Sequence, residues 1–87
     1  MEQLVKVFKA LSNNVRLEML SLLAEKPLCV NALVKRLDVS QPAVSQHLRV
    51  LENAGLVKGI KMGYWVHYSL VPEGFTECFS FIENLRR

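Results

Sequence analysis

Between Ser40 and Gly55 the sequence writes a helix with both ends marked, and that segment dictates how the chain on either side of it can be arranged. Ser40 is an N-cap residue, whose hydroxyl can accept from a backbone N–H that has no partner in the first turn. Pro42 falls in the same turn, where its missing N–H breaks no helical bond. Gly55 closes the helix, because glycine adopts the left-handed backbone of a helix stop without steric cost. At about 100° per residue, Val44, Leu48 and Leu51 fall on one stripe, the signature of a helix docked on a core. The other side presents Pro42, Ser45, Gln46, Arg49 and Asn53. Such amide, hydroxyl and guanidinium groups can pair with base edges, Gln or Asn with adenine and Arg with guanine. An ordinary solvated face would carry similar residues, so the flanking chain has to decide between a recognition helix and a plain one.

Before this helix, Leu4, Val5, Phe8 and Leu11 recur at helical spacing over residues 2–11, with Lys6 and Lys9 outward. Ser12 or Asn13 can cap a second helix, in which Val15, Leu17, Met19, Leu20, Leu22 and Leu23 cover most of the circumference and predict a central, buried helix. Arg16 opens that helix, where a cation opposes the macrodipole, and a carboxylate partner is the expected compensation. Pro27 restricts Lys26 and stops helical continuation. A third helix follows over about Val30–Leu37, with Val30, Leu33, Val34 and Leu37 inward and Lys35 and Arg36 outward. Asp38-Val39-Ser40 then makes a three-residue turn, Val39 plugging the gap between the two helices. Helix, short turn and capped helix are the parts of a helix-turn-helix.

After Gly55 the period changes from that of a helix to that of a strand. Residues 56–62 and 64–70 are rich in β-branched and aromatic side chains and flank Gly63, which reads as a hairpin. A hairpin directly after a recognition helix is a wing. Pro72 starts a last helix, with Phe75, Phe79 and Ile82 on one stripe and Cys78, Phe81 and Leu85 beside it. The expected fold is mainly α with a small β-hairpin (α+β), in the order ααααββα, as a single winged helix-turn-helix domain over residues 1–87. The first and last helices lie outside the reading unit and are both apolar, so they are expected to pack together and form a homodimer interface. Two recognition helices about 34 Å apart then read a palindrome.

The totals agree with this arrangement. Eighty-seven residues make one small domain. With 51% hydrophobic residues, the chain is richer in apolar groups than a small monomer can easily bury, which favours oligomerisation. No apolar run approaches the roughly 18 residues of a membrane span, and the N-terminus has no basic-then-apolar signal segment. A cytoplasmic chain with no membrane partner is expected, its two separated cysteines free. The net charge of +3 is unevenly placed: residues 26–70 carry six cations and two anions, residues 1–25 balance, and residues 71–87 sum to −1. The basic excess therefore surrounds the proposed recognition helix, as a footprint on phosphates requires. No nucleophile–base–orienter set, glycine-rich phosphate loop or paired-carboxylate pattern is present, so no enzyme and no cofactor is expected.

Leu28-Cys29-Val30, the run from Val44 to Leu51, Ala54-Gly55-Leu56-Val57, and Gly63 followed by Val66-His67-Tyr68-Ser69-Leu70 together resemble the ArsR/SmtB family of bacterial and archaeal repressors. The likeness covers essentially the whole chain. Its most specific part is Ser45-x-His47-Leu48 followed by Gly55-Leu56-Val57 and the hairpin. It implies a dimeric winged helix-turn-helix repressor that occupies an operator and leaves it when an inducer binds. In the best-known members the inducer site uses Cys-Val-Cys at the start of the third helix, or Asp, His and Glu on the last. Here Cys29 matches the first cysteine, Asn31 stands in place of the second, and the last helix has no histidine. Soft-metal and zinc sites usually need three or four thiolate or imidazole ligands, so no metal site is expected and the inducer is unknown. Cys29 and Cys78 are the candidates for a thiol sensor; the plainer reading makes both inert core residues.

The DNA contacts expected are Gln41, Ser45, Gln46 and Arg49 toward bases or nearby phosphates, and Ser40, Lys35, Arg36, Lys58 and Lys61 toward the backbone of double-stranded DNA. His47 sits at the edge of the apolar stripe and is expected to hydrogen-bond within the domain. His67 is expected on the wing's exposed face. Where the family often has a wing-tip arginine, this chain has Tyr64-Trp65, which weakens the expectation that the wing enters the minor groove and leaves capping of the core as the alternative use of Trp65. The competing class is a winged-helix module that binds protein and has lost specific DNA contact.

Overall fold

The computed structural model describes residues 1–87, in which α1 (Glu2–Leu11), α2 (Asn14–Glu25), β1 (Leu28–Cys29), α3 (Val30–Leu37), α4 (Gln41–Asn53), β2 (Val57–Met62), β3 (Trp65–Leu70) and α5 (Thr76–Arg86) follow one another, with a 3₁₀ turn over Pro72–Phe75 before α5. The expected mainly α fold with its hairpin is present. Its boundaries follow from local chemistry. Asn13 caps α2, its side chain accepting from the Arg16 N–H, while the Ser12 hydroxyl donates to the Lys9 carbonyl at the end of α1. Lys26 turns extended ahead of Pro27 and ends α2. Asp38 takes a left-handed backbone, φ 55°, after α3, a conformation that a short polar side chain tolerates. The Ser40 hydroxyl accepts from the Ala43 N–H at 3.2 Å and starts α4. Gly63 has φ 69° at the first position of the two-residue Gly63-Tyr64 loop, as a type II′ hairpin turn requires.

The sheet has one more strand than the sequence pattern indicates. β1 pairs antiparallel with β3, Leu28 opposite Tyr68 and Cys29 opposite His67, so the order is β1-β3-β2. Two residues are too few to express a period, and the Pro27 break hides them. Because side chains alternate across a strand, Leu28, Val57, Tyr68 and Leu70 share the inner face. Cys29, His67 and Ile60 form a cross-strand row on the outer face, beside the Trp65–Met62 pair.

The core is continuous from α1 to the sheet, with Val7, Met19, Leu33, Val44, Leu48, Leu51, Leu56 and Val57 fully enclosed. Two packing expectations need correction. The inward stripe of α1 is Leu4, Val7 and Ala10, and Val5 is 48% exposed, because α1 lies against α2 and α4 on one side and α5 on another. Helix α2 is buried only through Met19, Leu20 and Leu23; Leu17 is exposed, since no element of the chain covers that side. Helices α1 and α5 do pack together, Phe8 and Phe81 meeting edge to face at 6.1 Å between ring centres. The outer side of α5 is left apolar, with Phe79 73% and Leu85 69% exposed. A groove of about 530 Å³, lined by Leu17, Leu20, Leu70, Phe75 and Phe79 among others, runs beside it.

Gly74 holds the start of the C-terminal segment against the end of α4, because a Cβ there would collide with the backbone carbonyl of Gly55. The Val71 N–H also donates to the Leu56 carbonyl at 2.9 Å. Gly74→Ala should therefore lower unfolding free energy in urea by about 1–3 kcal/mol, the usual range for overpacking. An unchanged urea midpoint would mean that the two backbones can separate at no cost.

Candidate nucleic-acid interface

Helix α4 buries Val44, Leu48 and Leu51 and turns the opposite face to solvent. Gln41, Gln46 and Arg49 are exposed there, and Ser45 is half-buried at its edge. These side chains pair with one another along the helix: Gln41 Nε2 donates to Ser45 Oγ at 3.1 Å, and Arg49 Nη1 to Gln46 Oε1 at 3.4 Å. Both are exposed contacts of the i, i+4 and i, i+3 kind, individually weak, so a base edge can replace them at small cost. The arrangement puts amides, which offer a donor and an acceptor to adenine, and a guanidinium, which offers two donors to guanine, on one face.

The cations expected toward phosphates are all exposed. Lys35 and Arg36 occupy the last turn of α3, next to the turn that leads into α4. Lys58 and Lys61 lie on β2, and the register puts them on opposite faces of the hairpin, Lys58 with Ile60 and Met62, Lys61 with Gly59. The Ser40 hydroxyl accepts the capping bond from the Ala43 N–H, and its O–H remains available to donate to a phosphate. Trp65 is 57% exposed on the outer face of the wing and does not cap the core, because the inner face is filled by Leu28, Tyr68, Leu70 and Val57.

His47 braces the helix from within the domain, as its position at the stripe edge suggests. Its Nδ1 lies 3.1 Å from Arg16 Nη1. A guanidinium can only donate, so Nδ1 accepts and the proton of the neutral ring is on Nε2. Burial, and then the positive charge of Arg16, hold the His47 pKa below the ordinary value near 6.5. Arg16 itself corrects an expectation: its partner is not a carboxylate. Its Nε donates to the Ala10 carbonyl at 2.6 Å and its Nη2 to the Lys9 carbonyl at 3.2 Å, so it caps the negative end of α1 while reaching α4. Gln3 also escaped the sequence reading; its Nε2 donates to the Ala54 carbonyl at 3.1 Å. A lone polar residue on an amphipathic helix carries no sequence signal of such a contact.

The thiols lie in different surroundings. Cys78 is enclosed in the core, while Cys29 is half-buried as the N-cap of α3. Cys29 lines a cleft of about 380 Å³ with Asn31, Ala32, Lys35, Trp65 and His67. His67 is on the wing's outer face as expected, yet half-buried, and its Nδ1 is enclosed without a hydrogen-bond partner. No three His, Cys, Asp or Glu side chains gather anywhere in the fold. No helix is long and apolar enough to cross a membrane.

Comparison with known proteins matches residues 13–58 to the model of a family described as bacterial regulatory protein, arsR family. An uncharacterised HTH-type transcriptional regulator of Methanocaldococcus jannaschii is 36% identical over 97% of this chain and 96% of its own length. The arsenical resistance operon repressor of Escherichia coli is 45% identical over 78% of this chain, and the match spans only 59% of that protein. Among solved structures, a homodimeric winged helix-turn-helix DNA-binding domain from Mycobacterium bovis superposes with a TM-score of 0.81 at 28% identity, over 98% of this chain and 79% of that one.

The Arg16–His47 contact requires neutral histidine. Because the folded pKa is depressed, its contribution to stability is complete above the unfolded value near 6.5 and is lost as pH falls through the lower folded value. Thermal midpoints measured from pH 7.5 down to 5 should fall more steeply for the parent than for His47→Gln, which does not titrate. Parallel curves would show that His47 is not coupled to folding.

Proposed function

The chain belongs to the arsR family of bacterial regulatory proteins, and from that membership we propose that it acts in the cytoplasm as a homodimer that binds a palindromic operator in double-stranded DNA and represses transcription. The observation that carries the reading is the exposed face of α4, with its Gln41–Ser45 and Gln46–Arg49 pairs set among exposed cations of α3 and β2. Amides and one guanidinium read bases in the major groove; Lys35, Arg36, Lys58 and Lys61 hold the phosphates on either side. Dimerisation draws support from the uncovered apolar side of α5 and its groove, and from the homodimeric domain to which this fold is similar. Repression draws support from the similarity to the arsenical resistance operon repressor.

That likeness does not extend to a soft-metal centre. Cys29 has Asn31 two residues on and only His67 across the strand pair, and an amide is not a thiolate ligand. No step of control is assigned to a metal. Any thiol response in this chain starts at Cys29, which lines the open cleft at the N-terminus of α3, because Cys78 is enclosed in the core. Oxidant should then weaken operator binding by the parent and by Cys78→Ser, and leave Cys29→Ser unaffected; equal responses of parent and Cys29→Ser would remove the thiol reading.

Sequences enriched from random DNA by the parent protein should be palindromic. On the enriched site, Gln46→Ala and Arg49→Ala should each cost about 1–3 kcal/mol while weak binding to random DNA is retained. Equal losses on both DNAs would mean that these residues only position the protein, and lack of any enrichment would favour the protein-binding module instead. A reporter placed downstream of the enriched site should fall in expression when the protein is supplied; a rise would reverse the sign of regulation.

A further inference from the structure

Helix α1 is fastened to the recognition helix at two separated points. Near its start, Gln3 donates to the carbonyl of Ala54, the C-cap residue of α4. At its end, the guanidinium of Arg16 takes hold of the Ala10 and Lys9 carbonyls and bonds His47 in the middle of α4. Seven residues separate Gln3 from Ala10, and seven separate His47 from Ala54. At about 1.5 Å per residue both intervals are roughly 10 Å, so the ties run across matching lengths of two helices laid side by side in opposite senses. One contact would let α4 pivot on its Val44–Leu48–Leu51 stripe. Two contacts about 10 Å apart fix its angle to α1.

Arg16 is suited to this and little else. It has no carboxylate partner, the only ion pair in the fold being Arg86–Glu83. Its planar fork spends three donors on two helices at once, an arrangement an ammonium group cannot copy. The C-terminal end of α4, where Gln3 binds Ala54, is braced a second time by Gly74 lying against the Gly55 carbonyl. Helix α1 in turn packs on α5 through Phe8 and Phe81, beside the uncovered apolar face.

We propose that Arg16 and Gln3 are positioning residues that set the angle of the recognition helix relative to the dimer helices, and so determine which half-site spacing the dimer accepts. The inference rests on the operator reading above. The lever is large enough to matter. A tilt of about 10° about the middle of α4, whose 13 residues span about 20 Å, moves each end of the helix by about 1.7 Å. That is about half of one base step of about 3.4 Å. His47, next in sequence to Gln46, passes the constraint directly to the reading face.

The test uses the enriched operator and two derivatives with one base pair added to or removed from its centre. The parent protein should prefer the native spacing by about tenfold or more, in line with the cost of a misplaced base contact. Arg16→Gln and Gln3→Ala should each compress that preference severalfold, and the double variant should nearly abolish it. Arg16→Lys, which keeps the charge and loses the fork, should lie between parent and Arg16→Gln. Each variant should still discriminate against a single base change within one half-site to within about twofold of the parent. These are ratios of affinities on one preparation, so partial unfolding cancels, and Gln3→Ala removes a single hydrogen bond should Arg16 variants fold poorly. Spacing preferences equal to the parent's in all variants, or a parent indifferent to spacing, would overturn the proposal while leaving specific binding intact. A parent that enriches no sequence would overturn the operator reading and this inference together.

Discussion

Everything in this fold depends on one narrow stripe. Val44, Leu48 and Leu51 are the only side chains of α4 that enter the core deeply, and all three are essentially without solvent contact. A helix anchored on so little circumference leaves the rest of its surface free, which allows it to serve as both the centre of a core and a reading surface. The same economy leaves its tilt weakly determined by hydrophobic contact alone, because apolar burial has no direction. Directional bonds supply what the stripe lacks: Ser40 at the start, Gln3 and the Gly55–Gly74 contact at the end, and Arg16 with His47 between.

The small core explains why the remaining apolar surface is placed where it is. Fifteen buried residues are a thin interior for 87, and a chain of this size encloses a limited share of its apolar groups. The excess is not scattered. Most of it lies on α5 and on the exposed flank of α2, which border a common groove, and on the wing, with Val5 exposed on α1. The α5 side is continuous with the helix pair through which α1 meets α4. An interface formed there is mechanically connected to the reading face, whereas the wing's outer face is separated from it by the sheet.

What the sequence made legible is what periodicity and end signals encode. The five helices, the hairpin, the capping role of Ser40, the Gly55 stop and the Val44–Leu48–Leu51 anchor follow from spacing and from residue types with one dominant local use. The exposure of Gln41, Gln46, Arg49 and the four flanking cations was legible for the same reason. The failures are equally physical. Strand β1 has two residues and no period to detect. Val5 and Leu17 are apolar and exposed, because a periodic stripe says which residues could be buried and not how many neighbours a short chain can supply. Arg16 was noticeable as a cation at the wrong end of a helix, but its partners are backbone carbonyls of the preceding helix, and carbonyls are present at every residue. Gly74 matters through a backbone contact with Gly55 that no local pattern announces. His67 looked outward by strand alternation, and the neighbouring Cys29 strand and Trp65 partly enclose it.

In the proposed complex with DNA, the charge distribution and the exposed face of α4 divide the work of binding between different elements. Helix α4 presents a single cation, Arg49, among amides and a hydroxyl, so it contributes little sequence-independent attraction. The attraction proposed for phosphates is assigned to Lys35 and Arg36 at the end of α3 and to Lys58 and Lys61 on the wing, none of which is engaged in an ion pair within the chain. Free cations bring the domain to the duplex from any direction and at any sequence. Side-chain pairs that already satisfy one another give up little on meeting water or a mismatched base, and gain only when a base edge offers a donor and an acceptor to an amide, or two acceptors to the guanidinium, at the right separation. Since that gain is short in range and fixed in geometry, its size depends on how firmly α4 is held. On the proposed reading, the polar ties that orient the helix are therefore as much a part of recognition as the side chains assigned to the bases.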